Sequence, residues 1–244
     1  NEKLRIKGGD YYGNRQRKKA HMTILKVTFN LDGTGLYYDP VNPIHLDALI
    51  HWACTPFFVP KDQRNPARDE PPFEFRLPIK SEKVNGIEIY RASALFPEGK
   101  TNEELVHWRK KFDVSRMEVT RGSPNLTNGV YREYNQPLPL LLTHRLVGWI
   151  ESKPKDSRKL LGQVKYLGKK ASQGYGKVIG VDIQETDDDF TLWRDGKAQR
   201  WIPSTQGQKL VRASPPYWNV CDRVRCLDVG ESIAITIKNC LHKL

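Results

Sequence analysis

Residues 160–185, LLGQVKYLGKKASQGYGKVIGVDIQE, constrain the fold more than any other stretch of this chain. An apolar stripe in the first half recurs at the spacing of one buried helical face, which predicts a helix. The stripe consists of Leu160, Leu161, Val164 and Leu167. A loop rich in glycine and lysine follows, and the alternating β-branched run at 178–183 then predicts a strand. The order is therefore helix, glycine loop, strand.

The ends of the predicted helix are also marked in the sequence. Asp156 or Ser157 can cap its start, and Pro154 lies just outside. Gly168 is expected to end it, because glycine is the preferred residue just beyond a helix. The loop then begins at Lys169.

The order of these elements excludes two common nucleotide sites. A phosphate-binding P-loop and a dinucleotide fingerprint both follow a strand and open a helix, so that the helix dipole meets the anion. Here Gly174 and Gly176 follow a helix and open a strand. Val178 comes after Lys177, where a P-loop would require serine or threonine. We therefore exclude nucleotide hydrolysis and dinucleotide binding.

The loop is instead suited to a phosphate backbone. Glycine permits close backbone approach, so amide groups and lysine tips can contact a phosphate. Residues 153–177 contain eight basic side chains and one acid, Asp156. Tyr175, between the two glycines, offers a ring on which an unpaired base can stack. The simpler alternative is a solvated basic turn whose glycines serve only geometry.

Charge and composition narrow the class of partner. The chain has 244 residues, a formal charge of +12 and a pI of about 9.5, which favours a polyanion. With 38% hydrophobic residues it can build a core, and no apolar run approaches the length of a membrane span. No basic amphipathic helix with a broad apolar face is evident, so we expect no membrane partner.

The four cysteines include no CxxC pair, and we expect reduced thiols in a cytoplasmic protein. An alternative is a four-ligand zinc site of Cys221, Cys226, Cys240 and His242. Their spacing differs from that of common zinc knuckles. We therefore predict no metal and no cofactor.

Residues 1–21 form a basic tail or the remnant of a cloning join, with seven basic side chains and two acids. The tail contributes 7 − 2 = +5 to the formal charge, so the remainder keeps 12 − 5 = +7. We therefore expect a polyanionic partner with or without the tail. We assign residues 22–244 to a single domain.

The first half of that domain predicts a strand at 23–31 and a helix beginning at residue 45. Leu46, Leu49, Ile50 and Ala53 fall on one face of this helix, and Pro56 limits its length. Residues 60–72 are polar and rich in proline, which is typical of an exposed connection.

Two hairpins are predicted from their turns. Asn85-Gly86 joins 73–79 to 87–95, and Asp195-Gly196 joins 190–194 to 199–202. Both are dipeptides that suit two-residue hairpin turns.

An inserted helix resembling a thumb is predicted within residues 97–130. TNEE at 101–104 has the pattern of a capping box, with Thr101 as the N-cap. The residues that follow interleave basic and aromatic side chains, as a nucleic-acid surface would. A half-buried helix with a basic back would have the same pattern. Residues 115–130 predict a loop.

The second half predicts strands at 131–149 and, last, at 232–237. Pro137 and Pro139 must lie at a sheet edge or a bulge. The whole order is an α+β fold close to βαββαβ, the ferredoxin-like or RNA-recognition-motif arrangement, with insertions and extra hairpins. The aromatic signatures of an RNA-recognition motif proper are not found.

The strand at 23–31, the helix HLDALIHWA at 45–53 and the glycine loop resemble the RAMP superfamily of CRISPR RNA-binding proteins. With PPYW at 215–218, the chain looks most like the type IV subunit of the "Cas-five" group, which holds the 5′ handle of the crRNA. The resemblance spans roughly residues 23–218.

The resemblance implies a non-catalytic subunit that grips the crRNA and caps a filament of backbone subunits in an effector ribonucleoprotein. Its partners would be the crRNA, the backbone subunit and large or small effector subunits, with target DNA as a further candidate. The loop residues implied to meet RNA are Lys169, Lys170, Ser172, Gln173, Gly174, Tyr175, Gly176 and Lys177. Arg109, Lys110 and Lys111, on the inserted element, would support the handle or a neighbouring protein.

Two alternatives stay open. The first is a metal-independent endoribonuclease that processes pre-crRNA by in-line attack of a 2′-hydroxyl. Its acid and base would be His107 with Lys110 or Lys111, or His144 with Tyr131. The second is an interaction subunit whose basic face docks on acidic proteins.

Overall fold

The computed structural model describes residues 21–39, 41–112, 125–129 and 132–232. Three predictions therefore lie wholly or mostly outside the described residues. They are the basic tail at 1–21, the loop at 115–130 and the last strand at 232–237.

The described residues form fourteen strands and two α-helices. The helices are α1 (Leu46–Phe58) and α2 (Pro154–Leu161). The strands are β1 (Thr23–Leu31), β2 (Leu36–Tyr37), β3 (Ser81–Val84), β4 (Ile87–Tyr90), β5 (Phe96–Pro97), β6 (Asn102–Lys110), β7 (Tyr134–Leu142), β8 (Arg145–Ser152), β9 (Val178–Glu185), β10 (Trp193–Arg194), β11 (Lys197–Ala198), β12 (Ile202–Pro203), β13 (Lys209–Arg212) and β14 (Arg223–Leu227). The content is α+β, as predicted.

The central sheet is antiparallel, with strand order β5-β8-β1-β9. Strand β1 lies in its middle, and Val27 pairs with Gly148 on one side and Ile183 on the other. Alternate β1 residues from Leu25 to Leu31 are buried, as the alternation predicts. Both helices contribute to the core on that face, and the other face of β1 is half-exposed.

Helix α1 confirms its prediction in most respects. Leu46, Ile50 and Ala53 are buried, and Leu49 packs against the same core. Pro56 lies in the last turn, and the helix continues to Phe58. Pro56 has no N–H to donate to the carbonyl four residues earlier, so the last turn lacks one backbone hydrogen bond.

Helix α2 differs from its prediction at both ends. It begins at Pro154, and its N-cap residue, Lys153, makes no side-chain capping hydrogen bond. It ends at Leu161, well before Gly168. The whole apolar stripe is buried, yet its last two members lie beyond the helix. The chain beyond the helix pairs with the start of β9, since Val178 N donates to Lys165 O at 2.9 Å.

The predicted thumb helix is wrong in its described part. Residues 102–110 form strand β6, which pairs with β7 over its whole length. Val106 and Trp108 alternate onto one side of β6 and pack with Tyr37 and Leu138. Cross-strand packing of this kind outweighs a local helix signal, because intrinsic propensities are weak. The inserted element is therefore a β-ribbon where it is described.

Both predicted hairpin turns are confirmed. Asn85 and Gly86 have φ of 50° and 80°, and Asp195 and Gly196 have φ of 50° and 73°. Positive φ at both central residues is the geometry that suits a hairpin turn. The strands are shorter than predicted. The first arm of the earlier hairpin is β3 rather than 73–79, and the second arm of the later hairpin is β11 rather than 199–202.

The two prolines of β7 occupy an edge, as predicted. Pro137 and Pro139 pair with β6 on one side. On the other side, β2 reaches only Leu140 and Leu141. Because β2 does not extend to Pro137 or Pro139, no ladder hydrogen bond on that side requires a backbone N–H from either proline.

A second core forms around β12, β13 and β14, with Trp201, Ile202 and Cys226 buried in it. Cys54 and Cys226 are free thiols, and burial raises the pKa of each to about 11. No cluster of His, Cys, Asp or Glu in the described ranges could hold a metal ion, while Cys240 and His242 lie outside those ranges. Neither helix of the described chain is long and apolar enough to span a membrane.

Candidate nucleic-acid interface

The glycine loop packs closely on the chain segment that contains β2. A Cβ added at Gly176 would lie 2.0 Å from the carbonyl oxygen of Leu167, and one at Gly168 would lie 2.6 Å from that of Tyr37. Both residues have positive φ, 68° and 74°. A Cβ at Gly174 would meet nothing within 4 Å. Gly168 and Gly176 therefore serve the close packing of the loop on its own protein.

Several loop amides already donate to protein acceptors. Gly176 N donates to Gly35 O at 2.8 Å, Lys169 N to Tyr37 O at 3.3 Å, and Gly174 N to Ala171 O at 3.0 Å. These groups hold the shape of the loop and do not face a ligand. The capacity of the loop to bind phosphate therefore lies mainly in its side chains.

The lysines of the loop have two different environments. Lys169 and Lys177 are exposed, as are Ser172 and Gln173 on the short turn between them. Lys170 has φ of 66°, and its Nζ lies 4.2 Å from the ring centroid of Trp108 on β6. This cation–π contact directs Lys170 toward the β-ribbon and leaves Lys169 and Lys177 as the exposed cations.

Tyr175 packs inward rather than offering a free ring. Its ring centroid lies 4.6 Å from that of Tyr37 in an edge-on arrangement, and Tyr37 lies 6.4 Å from Trp108. Burial and the neighbouring Tyr175 phenol raise the pKa of Tyr37 to about 12. The three rings form an aromatic cluster that joins the glycine loop to β6.

The aromatic cluster brings the two predicted binding segments together. Lys110 is two residues beyond Trp108 on β6 and therefore lies on the same side of the strand as the ring that Lys170 covers. Arg109 is exposed on the opposite side, where its Nε donates to Asn135 Oδ1 at 3.1 Å. Lys111 follows the strand and is exposed. Lys110 therefore shares a face of β6 with the contact to the glycine loop, whereas Arg109 lies on the other face.

Tyr166 is an exposed aromatic residue beside the loop that the sequence analysis missed. It is 42% exposed and lies directly opposite Lys177 in an antiparallel bridge, which puts both side chains on one face. The signal was present in the sequence as an aromatic residue next to Lys165 in the basic run. Tyr166 is better placed than Tyr175 to stack on an unpaired base.

Two carboxylates moderate the charge of the exposed lysines. Hydrogen bonds from Thr34 lower the pKa of Asp32, and Lys177 adds to that effect. Asn42 likewise lowers the pKa of Asp39, with a smaller contribution from Lys169. Both carboxylates are therefore ionised at neutral pH and reduce the local positive potential.

One pair of the endoribonuclease alternative, His107 with Lys110, lies on opposite faces of β6. His107 Nδ1 lies 3.1 Å from Asn135 Oδ1 on the opposite side of β6 from Lys110. The ring of His144 lies beside Gly33, and Tyr131 is outside the described residues. A general acid and base must both reach the reacting atoms.

Part of the chain matches the model of a known protein family. Residues 23–135 match the family model of CRISPR type IV associated protein Csf3. The match runs from β1 to the start of β7, so it includes β6 and not the glycine loop. A search of curated proteins found no match. The family match supports an association of this chain with type IV CRISPR systems.

Proposed function

We propose that this chain is a non-catalytic crRNA-binding subunit of a type IV CRISPR effector ribonucleoprotein. It would hold the crRNA 5′ handle and cap a filament of backbone subunits, next to large or small effector subunits and target DNA. The observation that carries the proposal is the contact of the lysine-bearing glycine loop with strand β6, which ends in Arg109 and Lys110, through Lys170 and Trp108. The match of residues 23–135 to a type IV associated family supplies the biological context.

The topology supports the RAMP part of the proposal. In chain order, β1, α1, β5, β8, α2 and β9 give βαββαβ, and the sheet order is β5-β8-β1-β9. A ferredoxin-like core has this element order, with its first and third strands in the middle of the sheet. The glycine loop then lies between the second helix and the last strand, where the resemblance to RAMP proteins expects it.

RNA would be held by the exposed cations and a stacking ring. Lys169 and Lys177 would each contact a phosphate, and an unpaired base would stack on Tyr166. Contacts of this kind release counterions, so log affinity should fall linearly with log salt, by roughly 0.7 per phosphate contact on a single strand.

The test compares two charge-matched double variants. Labelled single-stranded repeat RNA is titrated against the wild-type chain, Lys169→Ala/Lys177→Ala, and Lys61→Ala/Lys100→Ala over a range of salt concentrations. Lys61 and Lys100 are exposed and lie outside both the loop and β6. The loop variant should flatten the salt slope by about 1.4, for two lost contacts. Equal salt slopes for the two variants would refute the proposal that the loop lysines bind the RNA.

Incubating the same RNA with the chain in EDTA tests the proposal that the chain does not cleave RNA. We expect intact RNA. Specific cutting that disappears in His107→Ala would instead establish the endoribonuclease alternative. A complex with other subunits that forms without RNA and resists nuclease would favour the interaction-subunit alternative.

A further inference from the structure

An aromatic groove runs along the outer side of α1, and none of the residues that line it belongs to the glycine loop. It has a volume of about 530 Å³ and is walled by α1, the connection at 60–73 and the PPYW segment at 215–218. Trp52 is 58% exposed, Trp218 49% and Phe73 40%. Large aromatic side chains concentrated at a surface groove mark an interaction site, and tryptophan is the residue most enriched at binding hot spots.

The groove carries little charge, although the chain is strongly basic. Arg64 is the one Lys, Arg, Asp or Glu side chain that lines it. Its Nε donates to the carbonyl of Val59, just beyond α1, at 3.0 Å, and its Nη2 donates to that of Pro56 in α1 at 2.8 Å. The wall at 60–73 carries three basic and three acidic residues. A polyanion would gain little here, in contrast to the lysine loop. Charge complementarity therefore calls for an uncharged occupant.

Two side chains of the groove can only donate a hydrogen bond. In the described part of the chain, the indole N–H groups of Trp52 and Trp218 have no partner, while the amides of Gln63 and Asn65 can both donate and accept. Indole can only donate. The occupant should therefore present free carbonyl oxygens beside apolar side chains.

Extended peptide in the polyproline II conformation has these properties. Its carbonyls make no internal hydrogen bonds, and aromatic-lined grooves are the usual receptors for it. A helix would have paired most of its carbonyls internally. We propose that this groove binds an extended, uncharged, proline-containing segment of a partner protein. This site is separate from RNA binding and does not depend on the function proposed above.

The test follows the indole N–H signals of the full-length ¹⁵N-labelled chain by NMR. The chain has six tryptophans, so substitution assigns the signals of Trp52 and Trp218. Decaproline should shift those two signals saturably, and a Gly-Ser decapeptide should not. Trp218→Ala should weaken the remaining decaproline response at Trp52 by roughly tenfold or more.

The four other indole signals report whether Trp218→Ala keeps its fold, and Trp218→Phe provides a milder variant if it does not. Three results would overturn the proposal. One is the absence of a saturable shift with decaproline. Another is a shift produced by decauridylate instead, which would make the groove a base-stacking site. The third is a shift on raising the protein concentration alone, which would make the occupant a second copy of this chain.

Discussion

Asp47→Asn should destabilise the protein strongly, because Asp47 neutralises a buried arginine. The side chains of Asp47 and Arg200 are both 0% exposed, and Asp47 Oδ2 lies 3.1 Å from Arg200 Nη1. Tyr217 donates its hydroxyl to the same carboxylate oxygen at 2.7 Å and accepts from Arg200 Nη2. Arg200 also donates to the carbonyls of Tyr90, Ala92 and Ala213. Burial raises the pKa of Asp47, and the guanidinium opposes that rise.

The magnitude follows from the geometry. At 3.1 Å, Coulomb's law with an effective dielectric constant near 20 gives an attraction of about 5 kcal/mol. Asparagine removes the negative charge and keeps one oxygen acceptor, so part of the hydrogen bonding survives. Removing one partner of a buried ion pair typically costs about 3–5 kcal/mol. That is a large share of the roughly 5–15 kcal/mol by which domains are stable.

The free energy of unfolding is measured by urea titration followed by far-UV circular dichroism. The matched control is Asp195→Asn, whose partner Arg194 lies 3.8 Å away with both side chains largely exposed. An exposed pair should contribute less than about 1 kcal/mol. If Asp47→Asn costs no more than the control, the guanidinium does not need this carboxylate, and the reasoning is refuted.

Three further predictions test the loop and the pH response. Gly176→Ala should unfold the loop or lower the free energy of unfolding by several kcal/mol, because its Cβ would lie 2.0 Å from a backbone oxygen. Gly174→Ala, measured in the same urea titration, should lower it by only about 1 kcal/mol through backbone strain. Trp108→Leu should free Lys170 from its cation–π contact and lower thermal stability by a few degrees, measured by differential scanning calorimetry. Burial, assisted by nearby Arg212, lowers the pKa of His51 to about 4. Between pH 6.5 and 4 the unfolded chain therefore binds a proton at this histidine that the folded chain does not bind. The free energy of unfolding should fall with decreasing pH over that range, by up to about 3 kcal/mol.

A specific result would contradict each of these three predictions. Equal stability of the two glycine variants would show that the loop relaxes around a new Cβ. An unchanged melting temperature in Trp108→Leu would show that the aromatic cluster does not hold the loop. His51→Gln should flatten the acid limb of the stability curve, and an identical pH profile in that variant would assign the effect to other groups.

The sequence predicted the charged residues of the glycine-loop site, but it did not predict which side chains pack against one another there. Lys169 and Lys177 were identified because a run of like charges is visible in the sequence itself. The inward packing of Tyr175 was not predictable, because it depends on Tyr37, far away along the chain. Tyr166 took the exposed position opposite Lys177 for the same reason, since a β-bridge fixes which side chains share a face.

The sequence by itself determined the elements whose signals are local. Strand β1, the buried face of α1 and the Asn85-Gly86 turn follow from alternation, helical periodicity and the tolerance of those two residues for positive φ.

Only the tertiary structure decided between helix and strand at 102–110. The capping-box pattern there favours a helix by at most a few kcal/mol. Pairing with β7 along all of β6 and burial of Val106 and Trp108 beside Tyr37 outweigh it. Those contacts come from residues distant in the chain, and a local reading of the sequence contains no information about which of them will meet.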